Sequence, residues 1–230
     1  MSIDLPKMEA ESTEKGDIIT TTQVLAPSTI KMKEGISGAG RQAYEVLQQL
    51  GFDAMTFKGS QTAIIDKGAD TLEVKDGIFD MSDSFRLNYT YKATGLDALK
   101  DISNADGQDN QATQFLAALE HMKVNGMTIS LEDKSIVERG LKLAAQMRGG
   151  EVNQIKREMR AAIAVAPFAA RNDFEKEVAN QLGGAFMDFV DDGGTLTVQL
   201  TPEAPINFSK LQSVENMKPE DLGFSARHDK

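Results

Sequence analysis

The chain of 230 residues contains no cysteine and only two histidines, His121 and His228. Without cysteine there are no disulfides, no thiolate nucleophiles and no metal sites ligated by cysteine. The patterns G-x-S-x-G and H-E-x-x-H are absent as well, and these are the local signatures of several hydrolases. We therefore predict no catalytic residue and expect a protein that is not an enzyme.

Basic residues and long apolar runs are also scarce. Lys and Arg number 25 against 35 Asp and Glu, which gives a net charge of −10. Such a surface repels phosphate backbones, so we expect no nucleic-acid partner. The longest apolar run, residues 161–170 "AAIAVAPFAA", contains a proline and is shorter than a membrane span. The first residues lack the apolar stretch of a signal peptide. We expect a soluble chain, with membrane association open only through a segment ahead of it.

The composition divides the chain near residue 106. Residues 1–106 are rich in β-branched and aromatic residues and show period-two stretches, whereas the second part, residues 107–230, shows helical spacing over residues 107–191, interrupted by a predicted strand at "GMTISLED". In residues 84–92, "SFRLNYTYK", apolar and polar side chains alternate strictly, which is typical of a strand with one buried face. The first part thus predicts a meander of about six strands. The second part predicts a helical layer, a closing strand and a proline-containing tail, and both parts form one integrated domain.

Turn residues place the strand ends within this meander. The dipeptide Asp76-Gly77 tolerates positive φ, and it predicts a hairpin turn between two short strands. Pro27 similarly separates two predicted strands, and Gly51 is expected to end a short helix.

Helices are predicted over residues 110–122, 133–150, 151–166 and 172–194, because each shows a one-sided apolar stripe. Asn172 or Asp173 is the expected N-cap of the last helix, and Gly193 is expected to end it. The pair Gly183-Gly184 inside this helix indicates a kink or a close backbone contact. The fold class is therefore α+β: a curved antiparallel β-sheet, built as a meander, with amphipathic helices packed on one face.

Acidic residues in the meander raise the question of a metal site. Asp76, Asp80 and Asp83 are closely spaced, but a calcium loop that begins at Asp76 would need oxygen ligands where Ile78 and Leu87 stand. Turn chemistry explains Asp76 and Asp83 better, and Asp80 is expected to lie on a solvent-exposed face of the sheet. We predict no metal and no cofactor.

Three further motifs have both a structural and a functional interpretation. The glycines of residues 35–40, "GISGAG", have the reverse of the dinucleotide-binding spacing, and they favour a connection. The basic residues of 156–160 form a solvated helix face or an anchor for an acidic partner or headgroup. The aspartates of residues 188–192 form a solvated helix end or a cation site.

Several stretches resemble a family of uncharacterised exported proteins of alphaproteobacteria. They are residues 50–99, which contain "DTLEVKDGIFDMSDSFRLNYTYK", then "GMTISLEDKSIVERGLKLAAQMRG", "FVDDGGTLTVQLTPEAPINFSKL" and "PEDLGFS". The resemblance covers about residues 45 to 225. It implies a periplasmic location, an export segment ahead of this chain, and a loose similarity to β-rich envelope proteins of the AsmA type, which are associated with lipid handling. A cytoplasmic location stays open.

Three hypotheses for the function follow. The first is a non-enzymatic cell-envelope protein that binds an apolar, lipid-like ligand or an envelope protein partner. Its candidate ligand-binding residues are Phe85, Leu87 and Tyr89 on a strand and Phe186 and Phe189 on a helix. The second is a structural, self-assembling protein, such as an oligomeric shell or a phage-type component, that associates through sheet edges. The third is an enzyme that depends on carboxylates.

Overall fold

The computed structural model describes residues 7–31, 39–52, 54–97, 121–211 and 217–230. These residues form one nine-stranded sheet and helices on its later strands. The strands are β1 (Met8–Lys15), β2 (Ile18–Lys31), β3 (Ala54–Asp66), β4 (Thr71–Met81), β5 (Phe85–Thr94), β6 (Lys123–Asp133), β7 (Thr195–Leu200), β8 (Ile206–Asn207) and β9 (Phe224–Asp229). The helices are α1 (Ala39–Gln49), α2 (Ile136–Arg148), α3 (Val152–Ala169), α4 (Asp173–Asp192), α5 (Phe208–Leu211) and α6 (Pro219–Leu222).

The strands follow one another across the sheet almost in chain order. The order is β1-β2-β3-β4-β5-β6-β7-β9, and every pair is antiparallel. The short strand β8 pairs with the first two residues of β6, Lys123 and Val124. The sheet is open and curved, so the predicted α+β meander is confirmed. Strands from both predicted parts of the chain share this sheet, because β6, β7, β8 and β9 all join it.

The predicted strand boundaries are wrong at two places. Pro27 does not separate two strands but lies in β2, and Asp76-Gly77 is not a hairpin turn but lies within β4. Both places are β-bulges, since the register shifts between Leu25 and Ser28 in β2 and between Val74 and Gly77 in β4. Asp76 has a φ of 51°. The positive φ that suggested a turn therefore belongs to a bulge, and the sequence up to residue 97 contributes five described strands rather than about six.

The register gives the sheet one apolar face and one polar face. In β5, for example, Leu87 pairs with Phe79 and Leu131, whereas Asn88 pairs with Ile78 and Ser130. We call the side with Leu87 the apolar face and the opposite side the polar face. Over β2 to β5 the apolar face consists of Ile19, Leu25, Ile30, Met55, Phe57, Ala63, Ile65, Leu72, Val74, Phe79, Met81, Phe85, Leu87, Tyr89 and Tyr91, which are all half-buried.

The helices cover the later strands of this apolar face. Helix α4 makes its main sheet contacts with β7 and β9, while α3 packs on α4 and α2 packs on α3. In β9 the side chains of Phe224, Ala226 and His228, on the apolar side, are less exposed than their neighbours. The core between the helices contains Leu141, Ala145, Ile155, Met187 and Val190. The helix predicted over residues 110–122 lies almost wholly outside the described residues.

The predicted helix ends are confirmed. Asn172 is the N-cap of α4, and its side chain accepts a hydrogen bond of 2.8 Å from the backbone N–H of Glu175. Gly193 follows the last residue of α4, and Gly149, in the left-handed conformation, ends α2. Of the two glycines inside α4, Gly183 provides the predicted close contact.

We expect the substitutions Gly183→Ala and Gly184→Ala to have opposite effects. A Cβ on Gly183 would lie 2.6 Å from Cγ2 of Ile163, whereas a Cβ on Gly184 would meet nothing within 4 Å. Gly183→Ala should therefore lower the free energy of unfolding by about 1–3 kcal/mol through overpacking. Gly184→Ala should raise it by about 0.5–1 kcal/mol through helix propensity. Urea unfolding measures both, and equal effects would contradict the close packing of α3 on α4.

Candidate functional site

The part of the apolar face over β2 to β5 is the candidate site, because apolar side chains there keep partial contact with solvent. The helices cover β7 and β9 at the far side of the sheet. Of the described strands, β1 is exposed at every residue. Large apolar surfaces that a folded chain leaves accessible commonly mark binding sites.

Aromatic rings run across three neighbouring strands at one end of this site. The ring centroids of Phe57 and Phe79 are 6.2 Å apart, and those of Phe79 and Phe85 are 6.1 Å apart. These spacings lie within the range of favourable aromatic pairs. The three rings pack on one another, and the described residues include no second sheet layer over them.

A line of hydrogen bonds crosses the apolar face beside these rings. The hydroxyl of Tyr89 donates to Oε1 of Gln61 at 2.7 Å, and Nε2 of Gln61 donates to Oε1 of Gln23 at 2.6 Å. The ring of Tyr89 lies directly over Gly77, where a Cβ would collide with it. Tyr89, Gln61 and Gln23, which we call the polar stripe, therefore place hydrogen-bonding groups on a surface that is otherwise apolar.

The polar stripe borders a hollow of about 170 Å³ on this face. The hollow lies over Gly59, whose missing side chain leaves room between Leu25 on β2 and Phe79 on β4. Met8 of β1 and the polar stripe complete its lining. The hollow thus combines an apolar lining with a few polar groups at its border, as sites for apolar ligands do.

The five predicted ligand-binding residues lie on the same side of the sheet but in two groups. Phe85, Leu87 and Tyr89 are side by side on β5 within the candidate site. Phe189 is buried, with 2% of its surface exposed, and Phe186 packs on the core between the helices. Because the main sheet contacts of α4 are with β7 and β9, β6 and β7 separate the two groups. A role of these residues in binding stays a prediction.

Sequence reasoning did not find Gln23, Gln61, Phe57 or Phe79 as members of this site. Phe57 was predicted to be in phase on a strand, but its neighbours across the sheet were unknown. Gln61 lies four residues after Phe57 on the same strand, so the two side chains share a face of the sheet. This spacing is the one feature of the sequence that places Gln61 on the apolar face. The polar stripe itself depends on the register of four strands, and the sequence does not state that register.

The basic and acidic motifs of the helices bind each other. Arg160 of α3 donates to Asp191 of α4, and Nζ of Lys156 lies 3.4 Å from the same carboxylate. The hydrogen bond from Arg160 lowers the pKa of Asp191 below its ordinary value. Asp192 pairs with Lys230 at 2.9 Å. These charges hold α3, α4 and the end of β9 together, which is the structural interpretation of both motifs.

The aspartates of the meander serve separate local purposes. Asp76 and Asp83 have positive φ, at a bulge and at a turn. The prediction that Asp80 lies on a solvent-exposed face is wrong, since it is 7% exposed and accepts a hydrogen bond of 2.6 Å from Lys134, with Nζ of Lys58 at 3.9 Å. Within the described ranges, no three side chains of His, Asp or Glu come together in a way that could hold a metal ion. Nε2 of His228 contacts the carbonyl oxygen of Gly193 at 2.6 Å.

None of the helices in the described part of the chain is long and apolar enough to cross a membrane. Comparison with models of protein families matches residues 78–228 to a family described as "Uncharacterized protein". The match begins in the second half of β4 and reaches into β9, so it includes β5, all three long helices and the closing strands. No curated protein matches the chain.

We expect Asp80→Asn to lower stability at neutral pH and to matter less in acid. The hydrogen bond from Lys134 lowers the pKa of Asp80 below its ordinary value of 3.8, with burial acting in the opposite direction. A carboxyl with a lowered pKa stabilises the fold above its unfolded pKa, and this contribution disappears as the pH falls through the lower, folded pKa. Asp80→Asn should cost about 1–3 kcal/mol at pH 7, and the difference from the wild type should shrink below pH 4.

Asp229→Asn is the matched control for this experiment. Asp229 pairs with Arg227 at 3.0 Å, but more than half of each side chain is exposed. Such a surface pair contributes about 0–1 kcal/mol. Urea unfolding at pH 7 and pH 3 compares the two variants, and an Asp80 variant whose deficit is unchanged at pH 3 would refute the role of the charge.

Proposed function

The chain belongs to a family of uncharacterised proteins, and from the apolar face of its sheet we propose that it binds an extended apolar ligand, a lipid acyl chain, without catalysing a reaction. The observation that supports this proposal is the half-buried set of apolar side chains over β2 to β5. Apolar surface of this extent stabilises the fold less than a closed core would, because water still reaches it. A ligand that covers the surface removes that water.

The energy available from such binding is sufficient for a specific ligand. Each buried methylene contributes about 0.8 kcal/mol, so ten methylenes contribute about 8 kcal/mol before the costs of immobilisation. An acyl chain that follows the aromatic rings Phe57, Phe79 and Phe85 would contact several strands at once. Micromolar affinity corresponds to about 8 kcal/mol, so contacts with a polar group must offset the costs.

The polar stripe supplies those contacts. Gln23, Gln61 and Tyr89 provide amide and hydroxyl groups beside the hollow. A fatty acid or an ester carries carbonyl oxygens that accept hydrogen bonds from an amide N–H. A few polar groups at the edge of an apolar site commonly fix the orientation of the ligand. In the proposal the acyl chain lies on the rings and its polar end reaches the stripe.

An acyl chain fits this surface better than a protein partner does. Protein interfaces surround an apolar centre with a polar rim that forms about one hydrogen bond per 100–200 Å². The hollow over Gly59, of about 170 Å³, is instead lined mainly by apolar groups, with the polar stripe at its border. We further propose a location in the cell envelope, which the resemblance of the sequence supports. Fractionation of the native host, with detection of the protein by antibody, tests that location.

We expect Leu87→Lys to weaken binding and Asn88→Lys to leave it unchanged. The two residues are neighbours on β5, but Leu87 lies on the apolar face and Asn88 on the polar face. Both changes add one positive charge to the same strand, so only the first places a charge in the site. With Nile red as the fluorescent probe and palmitate as its competitor, the apparent Kd of Leu87→Lys should rise at least about tenfold, since burying a charge is costly.

Two results would contradict the proposal. One is a wild-type protein that binds neither Nile red nor palmitate, and the other is an equal loss in both variants. Circular dichroism of each variant separates loss of binding from loss of folding, and Leu87→Asn replaces Leu87→Lys if the latter unfolds. Native mass spectrometry of the purified protein then identifies a bound lipid or, if the proposal is wrong, a protein partner.

Self-association is the second candidate, and the exposed edge strand β1 favours it. All eight residues of β1 are exposed, and its outer backbone groups form one edge of the sheet. Glu9, Glu11 and Glu14 give this strand a negative charge, which opposes the pairing of two identical edges. A defined oligomer that forms in high salt, which screens this repulsion, and dissociates on Thr13→Pro would favour this function over ligand binding.

A further inference from the structure

The polar face carries a second candidate site, on the side of the sheet opposite to the apolar ligand. Two adjacent hollows of about 230 Å³ and 270 Å³ lie over β5, and both are lined by Thr90 and Thr128. The first extends to Asp76, Asn88 and Ser130, and the second extends to Glu73, Lys75 and Lys92. We call the two hollows together the polar groove.

Uncharged hydrogen-bonding groups form the middle of this groove. Asn88, Thr90 and Thr128 carry amide and hydroxyl groups, each of which can donate and accept hydrogen bonds. The backbone of β5 is already paired with β4 and β6 along both sides. A ligand in the groove therefore meets side chains rather than free backbone groups, which suits a ligand with many hydroxyls better than an extended peptide.

Arg86 lies just beyond one end of the groove. It precedes Asn88 by two residues on β5, so both side chains are on the polar face. Two steps along a strand correspond to about 7 Å. Nε of Arg86 is closed to solvent and has no hydrogen-bond partner, and no ion pair of this guanidinium is present among the described side chains. Buried polar groups in native proteins are nearly always paired, so an unpaired arginine needs an explanation.

The neighbouring charges explain why Arg86 is left without a partner. Asp80 lies directly across from Arg86 on β4, but its carboxylate is bound by Lys134 at 2.6 Å and faces Lys58 at 3.9 Å. Glu132 lies across from Arg86 on β6. Asp80 is thus shared by three cations, of which Lys134 forms the hydrogen bond and Arg86 acts through its charge alone.

We propose that the polar groove binds a polyhydroxylated ligand, a short acidic sugar, whose carboxylate or phosphate is received by Arg86. The planar guanidinium offers donors in a fork that matches the oxygens of either group. The hydroxyls of the ligand bind Asn88, Thr90 and Thr128 along the groove. This site is independent of the apolar face, because adjacent residues of β5 point to opposite sides of the sheet.

The test compares Arg86→Gln with Arg227→Gln in the full chain. Arg227 lies on the same polar face, on the edge strand β9, where it pairs with Asp229. By isothermal titration calorimetry, tetragalacturonate or glucose 6-phosphate should bind the wild type, and Arg86→Gln should weaken the binding at least about tenfold, as expected for the loss of a charged hydrogen bond. Arg227→Gln should change the Kd less than twofold, and neutral maltotetraose should bind more weakly than tetragalacturonate.

The two acidic probes distinguish a carboxylate from a phosphate as the preferred oxyanion. Three results would overturn the proposal: no binding of either probe at millimolar concentration, an equal loss in both arginine variants, or binding of tetraglutamate as tight as that of the acidic sugars. If Arg86→Gln fails to fold, amide chemical shifts of the wild type decide the matter. Shifts confined to residues 86–92 and 128–130 support the site, and shifts spread over the surface lysines refute it.

Discussion

The sheet depends on one constraint: each strand must keep its apolar side chains on the same face along its whole length. In β3 and β5 these side chains occupy odd positions throughout, from Phe57 to Ile65 and from Phe85 to Tyr91. In β2, β4 and β6 the apolar side chains switch between odd-numbered and even-numbered positions partway along the strand. Each switch coincides with a bulge. The extra residue of a bulge restores the phase that a regular strand would lose. Both candidate sites exist because the two faces stay separate.

Of the described helices, α4 secures the later part of this sheet, and Arg139 of α2 donates to the carbonyl oxygens of Leu50 and Gly51 just ahead of β3. Helix α4 packs on β7 and β9, and its close contact with α3 at Gly183 brings Lys156 and Arg160 to Asp191. Within the described part of the chain, the earlier strands are stabilised mainly through cross-strand pairs. Such pairs contribute about 0.2–1 kcal/mol each, which is less than a buried core provides. A sheet held in this way can accommodate a ligand without losing its main core.

Patterns between residues close in sequence predict the fold class and the alternation in β5. They also predict the ends of α4 at Asn172 and Gly193. The bulge at Asp76-Gly77 resembles a turn in sequence because residues that tolerate positive φ, followed by a change of phase, are common to turns and bulges. The bulge at Pro27 resembles a strand end because proline is usually excluded from strand interiors. Strand β1 is hard to predict because its apolar-polar alternation stops after Glu11 and its last four residues are all polar. The pairing of Lys156 with Asp191 and the isolation of Arg86 depend on tertiary contacts that local patterns do not contain.

The near-sequential order of the strands has a consequence for how the chain folds. Each hairpin from β1 to β5 closes over a short stretch or over α1 and its connections, and chains rich in local contacts fold fast. The pairing of β6 with β7 is different, since about sixty residues and three helices intervene, and closing a longer loop costs more entropy. The meander can therefore assemble early. Closure of β7 and β9 onto it is the slow event, and until then the edge of β6 is open to pairing with other chains.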